Sequence, residues 1–327
     1  MQWKILAGFR FFLAWIVLCT HLSWFVPSNS YLLRFNHFDG FSAVLGFLII
    51  SGYSIAHSVI KTPQGFYRRR VLRLYPLYFL AVIASILPFL ILGSQLKTPG
   101  GNSFPLVLPS KGDFIGNLLL LQGFIFKPIS SNPILWTLSV EFLYYLFAPW
   151  FLKLSNRSIF ALICISAVTY AVYPKLNLPY YSHLEFGLGA ILLLWAWLLG
   201  FWYRREAGRN DHIKALLIFV GVILLSFNSF DGQFTNLTYI SSCLVVIYAT
   251  QIKLPTRLLD VFDYLGAISY PLYLFHVPAF IAAYYFLGIQ YQIGLVLFAL
   301  MVSIVVYHVI DLPLRTRTLL AWGMTPK

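Results

Sequence analysis

The sequence predicts an all-α fold: a polytopic transmembrane helical bundle of about ten spans with both termini cytoplasmic. Three observations carry that prediction. First, 60% of the 327 residues are hydrophobic and only 10% are charged, against roughly 45–50% and about 25% in soluble domains. Second, ten spans of about 20 residues would take roughly 200 residues, close to the apolar content, whereas a 37.4 kDa chain cannot bury that excess in one aqueous core. Third, the apolar residues stand in continuous runs and do not alternate, which excludes a β-barrel. A soluble enzyme, a disordered chain and a disulfide scaffold are excluded with it.

The first run, Phe9 to Val26, is followed by no small-residue cleavage site and reads as a retained span. Further runs stand at 41–60, 74–93, 114–126, 135–152, 159–173, 183–203, 215–227, 237–250, 264–287 and 292–310. The loops holding Lys61, Arg68, Arg69, Arg70 and Arg73, and Arg204, Arg205, Arg209 and Lys214, both belong inside by the positive-inside rule. An even number of spans must separate them, yet five candidates do. The weakest is 114–126, which starts at Gly112-Asp113, contains Gly116-Asn117 and is too short to cross, so it reads as re-entrant or interfacial.

Ten spans then sort the basic residues. Of 23 lysines and arginines, 17 fall inside; Arg34, Lys97, Lys111, Lys127 and Lys175 fall outside, and Arg10 lies within a span. The net charge of +13 therefore reads as orientation; a nucleic-acid partner, which needs a clustered basic face, is not expected. Trp3, Trp24, Trp136, Trp150, Trp195, Trp197, Trp202 and Trp322 lie near span ends, as in an aromatic belt. Cys19, Cys164 and Cys243 lack metal or redox spacing and read as small core hydrophobes. The polar stretch Ser94 to Asp113 reads as an outward loop with a Gly-Asn turn signal. With no internal repeat and no long linker, residues 1–327 read as one membrane domain.

Charged groups within a span cost about 2.5–3.5 kcal/mol on insertion scales, so they are candidate functional residues. Arg10 and His21 stand eleven residues apart, about 1100° of helix rotation, which puts both on one face roughly 16 Å apart along the axis. Alone, Arg10 also reads as a snorkelling end residue and His21 as an interhelical hydrogen-bonding group. Glu141 follows Trp136-Thr137-Leu138-Ser139-Val140 near the outward end of its span; beside His21 it would raise the imidazole pKa or fix its tautomer. His276 is mid-span and reads as a packing residue, a gate or a second site group. Asp311 begins the cytoplasmic tail, pairing with Arg315 or a basic neighbour. The Arg68–Arg73 cluster opens the third span, either as a topology signal or as an anion site suited to phosphates such as those of coenzyme A.

These elements resemble the acyltransferase-3 family of integral membrane O-acyltransferases. The resemblance rests on Arg10-x10-His21; Ile50-Ser51-Gly52-Tyr53; Phe66-Tyr67 and Arg68-Arg69 before Arg70-x-x-Arg73 and Pro76; Trp136 to Glu141 followed by Tyr145 and Pro149; and Ser269-Tyr270 to His276. It covers the chain from Arg10 to Asp311. Leu45 stands where the family often has Asp, Phe142 where it often has a second Glu, and Asp311-Leu312-Pro313 replaces a late Glu-x-Pro. The chain has no room for the extracytoplasmic hydrolase-like domain of some members.

The resemblance implies an acyl-CoA donor, usually acetyl-CoA, and a hydroxyl acceptor on a sugar, polysaccharide or lipid-linked glycan. It implies a multi-pass protein of the bacterial cytoplasmic membrane. Arg70 and Arg73, with Arg69, are expected to bind the coenzyme A phosphates, with Arg10 along the donor's path. His21 is expected to act as general base with Glu141 orienting or charging its ring, or as a nucleophile carrying the acyl group. Ser51, Tyr145 and His276 are candidate pocket residues. No metal and no permanently bound cofactor is expected; the oligomeric state is open. A transporter or flippase, with Arg10, His21 and Glu141 as a substrate or proton path, is the rival reading.

Overall fold

In the computed structural model, residues 2–101, 103–176, 184–206, 211–227 and 232–321 are described. Every predicted apolar run except 114–126 forms a helix, from 14 to 32 residues long. In chain order these are α1 (Gln2–Leu22), α2 (Gly40–Lys61), α3 (Phe66–Leu92), β1 (Gln95–Lys97), β2 (Pro105–Val107), α4 (Lys111–Leu118), α5 (Trp136–Lys153), α6 (Asn156–Val172), α7 (Leu188–Arg205), α8 (Asp211–Leu225), α9 (Thr235–Tyr248), α10 (Thr256–Leu287), α11 (Gln292–Val306) and α12 (Leu312–Ala321). Among the described residues, seven helical stretches are long and apolar enough to cross a membrane. The chain is a multi-pass membrane protein with an all-α bundle.

The segment 114–126 is not a span. Ser110 caps α4 by accepting from Asp113 N at 3.0 Å, and the chain then turns at Leu120 (φ 60°) and Gly123 (φ 77°). Gln122 Nε2 donates to Leu135 O at 2.8 Å and Ser139 Oγ donates to Gln122 O at 2.8 Å, so this turn is pinned to the start of α5. The stretch Ser94 to Asp113, expected as a loop, contains the antiparallel β1–β2 hairpin. Gly100 N donates to Trp24 O at 2.7 Å, and so the hairpin tip sits on the end of α1 just beyond His21.

Helix α2 is central and packs most extensively on α7, while α1 lies between α2 and α10. Without a hydrophobic force between helices in lipid, close backbone approach must supply the packing. A Cβ on Gly52 would stand 2.0 Å from Trp197 O, and one on Gly266 would stand 2.3 Å from the Ala7 side chain. Glycine is therefore required at both α2–α7 and α1–α10 crossings. These contacts fix the helices that carry Ser51, Arg10 and His276.

Two readings of side chains need correction. Trp195 and Trp197 are fully buried, because α7 is an interior helix in which every residue from Trp195 to Tyr203 is buried. They stack among Tyr170, Tyr239, Tyr144 and Phe201 instead of lining a membrane interface. Cys164 is exposed on α6, unlike the buried Cys19 and Cys243. Arg209, Trp322 and Lys327 lie outside the described residues.

Candidate active site

A cavity of about 720 Å³ runs into the bundle between α1, α2, α3, α5 and α10. Its mouth carries Trp3, Lys61, Thr62 and Arg73, all exposed. On α2 it extends from Lys61 to Val44, a rise of about 25 Å at 1.5 Å per residue. Its inner wall includes Phe47, Thr137 and Tyr273.

The lining is strongly basic. Arg10, Lys61, Arg70, Arg73 and Arg315 face it, against the carboxylates Glu141 and Asp263. Arg70 Nη2 donates to Ser58 Oγ at 2.7 Å, and its guanidinium lies 5.7 Å from the Phe66 ring. The Nε atoms of Arg10 and Arg70 are buried and have no hydrogen-bond partner. Buried donors left unpaired are costly, so an anionic ligand that accepts from them would recover that cost.

Glu141 is tied into the wall from both sides. Ser51 Oγ donates to its Oε1 at 2.5 Å and Tyr145 OH donates to the same oxygen at 2.6 Å. Ser51, Glu141 and Tyr145, read separately in the sequence, thus form one cluster facing the Arg10 and Arg70 side of the cavity. Thr137 Oγ1 and Tyr273 OH lie 2.8 Å apart, joining the Trp136–Glu141 element to the Ser269–His276 element.

His21 does not lie against Glu141. Its Nδ1 is 2.9 Å from Val17 O and 3.1 Å from His276 Nε2, and its ring meets Trp24 edge-on at 4.6 Å. The helix-face argument explains why: α1 is unbroken, so Trp3, Ala7, Arg10 and His21 follow one stripe, with Ala7 and His21 both against α10. Arg10 belongs to the cavity, and His21 stands beyond its inner wall. His276 is one helical turn past Tyr273, and their ring centroids are 6.4 Å apart. Arg69 also departs from the expected grouping. Its guanidinium donates to Gln64 O at 2.6 Å and to Thr62, bracing the turn before α3, and it does not line the cavity.

The Asp311–Arg315 pair expected from the sequence forms, but nothing in the sequence placed Arg315 in the cavity. A π-helical turn at Tyr307–Asp311 widens the helix, as such turns often do at functional positions. Asp311 is buried here rather than at the start of a tail. Arg315 pairs with it at 2.7 Å and 2.6 Å and reaches the cavity. The i, i+4 spacing of the two residues was the signal for the pair. His57 was missed too: Arg204 donates to its Nδ1 at 3.1 Å from Nε, its ring centroid lies 4.6 Å from that of Trp3, and both rings line the mouth. Among the described residues no cluster of three His, Cys, Asp or Glu side chains is placed to hold a metal ion.

Nearly all of the cavity's lining lies within the stretch that a family model covers. The sequence model of a family described as an acyltransferase domain, acyltransferase-3, matches residues 3–310. The chain belongs to the acyltransferase-3 family. It is similar to acyltransferase MdmB of Streptomyces mycarofaciens, 29% identical over 162 residues, which is 46% of this chain and 40% of that protein. The match thus spans less than half of the length of that relative. No solved structure matches the chain at a significant level. The chain thus carries the membrane domain of the acyltransferase-3 family.

Proposed function

We propose that this acyltransferase moves an acyl group, acetyl in the simplest case, from cytoplasmic acyl-CoA to a hydroxyl of a sugar, polysaccharide or lipid-linked glycan. The observation that carries this reading is the basic cavity lined by two arginines whose buried Nε groups have no partner, with its inner wall at Tyr273 one helical turn from His276. Arg70 and Arg73 would bind the phosphates at the mouth, where guanidinium forks suit them. Arg10 would meet the donor farther in. The thioester would lie against Thr137 and Tyr273, one helical turn from the His21–His276 pair. His21 would take the acceptor's proton as general base, or carry the acyl group as a nucleophile. Glu141 serves the cavity side, balancing the arginines and holding Ser51 and Tyr145.

In this reading ten helices, α1–α3 and α5–α11, cross the bacterial cytoplasmic membrane, both termini are cytoplasmic, and the cavity mouth faces the cytoplasm. The basic residues at the mouth are on the side that the positive-inside rule assigns to it. Purified protein in liposomes tests the function. Coenzyme A release that requires a glycan acceptor supports it, and glycan flux without donor consumption supports a carrier and overturns it.

A further inference from the structure

His21 and His276 constrain one another's protons. His21 Nδ1 lies 2.9 Å from Val17 O, and His276 Nδ1 lies 3.0 Å from Leu272 O. A carbonyl oxygen can only accept, so each Nδ1 carries a hydrogen. The Nε2 of a neutral His276 is then a bare acceptor, and it sits 3.1 Å from His21 Nδ1. The His21 hydrogen is shared between Val17 O and His276 Nε2. This leaves the lone pair of His21 on Nε2.

The surroundings hold His276 in that role. It is buried, with Tyr273 and Phe280 packed on its ring. Pro278 has no N–H to give Leu274 O, and Asn132 Nδ2 donates to that oxygen instead at 3.0 Å. The helix continues unbroken through this stretch with its freed carbonyl paired. Among the described residues neither ring hydrogen-bonds a carboxylate.

We propose that His276 is a positioning residue that fixes His21 in its Nδ1–H tautomer, makes Nε2 the reacting atom, and accepts the Nδ1–H bond when the ring becomes charged. The proposal rests on the reading of His21 as the reacting histidine. As general base, His21 Nε2 takes the proton of the acceptor hydroxyl. The hydroxyl oxygen bonds to the thioester carbonyl carbon, the carbon–sulfur bond breaks, and the proton passes from Nε2 to the departing thiolate. Between these events the imidazolium keeps its Nδ1–H on His276 Nε2 and Val17 O. In hydrolase triads a carboxylate performs that service; here a neutral ring does.

The test compares the full-length wild type with His276→Leu, His276→Gln and His21→Ala, by acyl transfer from acetyl-CoA and by ¹⁵N-histidine solid-state NMR. The leucine variant, which cannot accept, should lose about 100-fold in kcat, within the range expected for general-base work, with donor KM within about twofold. The glutamine variant, whose amide oxygen accepts, should recover at least about tenfold of that loss. Wild-type His21 should show the Nδ1–H tautomer alone. A leucine variant within threefold of wild-type kcat beside an inactive His21→Ala, or an Nε2–H tautomer at wild-type His21, overturns the proposal and leaves the function intact. Transfer by His21→Ala overturns the reading of His21 itself. The wild-type spectrum decides the tautomer even if the leucine variant fails to fold.

Discussion

Ser51 Oγ donates to Glu141 Oε1 at 2.5 Å, joining two residues 90 positions apart in the chain into one wall of the cavity. Gly52 beside it lets α2 approach the backbone of α7, while Ser51 turns the other way toward the site. One dipeptide thus sets both the helix crossing and a polar contact. Tyr145 completes the cluster from one turn farther along α5.

The Glu141 cluster predicts different outcomes for two substitutions. Glu141→Ala leaves the Ser51 and Tyr145 hydroxyls without their acceptor and should lower stability by about 1–3 kcal/mol. Glu141→Gln keeps an acceptor oxygen and should stay within about 1 kcal/mol of wild type. Thermal unfolding of both variants in detergent checks this. Equal loss in both would show that charge, not hydrogen bonding, holds the cluster.

The arginines of α3 should separate by position. Arg70→Ala and Arg73→Ala should each raise donor KM about 10- to 100-fold, the value of one or two charge-assisted hydrogen bonds. Arg69→Ala should leave donor KM within about twofold and instead weaken the turn at Thr62 and Gln64. Steady-state kinetics with varied acetyl-CoA distinguishes them.

The Asp311–Arg315 pair should behave as a partly buried ion pair, its carboxylate buried and its guanidinium 30% exposed. Arg315→Ala leaves a carboxylate unpaired and should cost about 3–5 kcal/mol, while Asp311→Asn with Arg315→Gln should recover most of it. Thermal unfolding of Asp311→Asn, Arg315→Gln and their double variant closes a double-mutant cycle and measures the coupling. Donor KM should rise in both backgrounds, since each lacks the cavity arginine.

Gly52→Ala should be poorly tolerated, because its methyl group would meet Trp197 O at 2.0 Å. Overpacking of this kind costs about 1–3 kcal/mol. The yield of monodisperse protein and its melting temperature give the readout, with Gly112→Ala as the comparison, where the nearest atom stands at 3.6 Å.

Local sequence patterns carry much of this architecture. Continuous apolar runs placed the long helices, and the short 114–126 stretch with its Gly-Asp and Gly-Asn pairs is folded as a helix and turn, not a span. Helical rotation put Arg10 and His21 on one stripe because it depends only on spacing within α1. Contacts between distant segments were not legible in the same way. Nothing local says that His21 meets His276, 255 positions away, and not Glu141. Spacing suggested the Asp311–Arg315 pair, but the π-helical turn that aims Arg315 into the cavity leaves no pattern in hydropathy. Trp195 and Trp197 misled for the converse reason: proximity to a span end is a sequence property, while burial of α7 is decided by its neighbours.

The central claim is that His21 carries the transfer at the end of the basic cavity. The most direct measurement is transfer of labelled acetyl from acetyl-CoA to envelope glycan by reconstituted wild type and His21→Ala, matched for folding and membrane insertion. The claim predicts that transfer falls at least about 100-fold in the variant while acetyl-CoA still binds. Near-normal transfer by His21→Ala would contradict it.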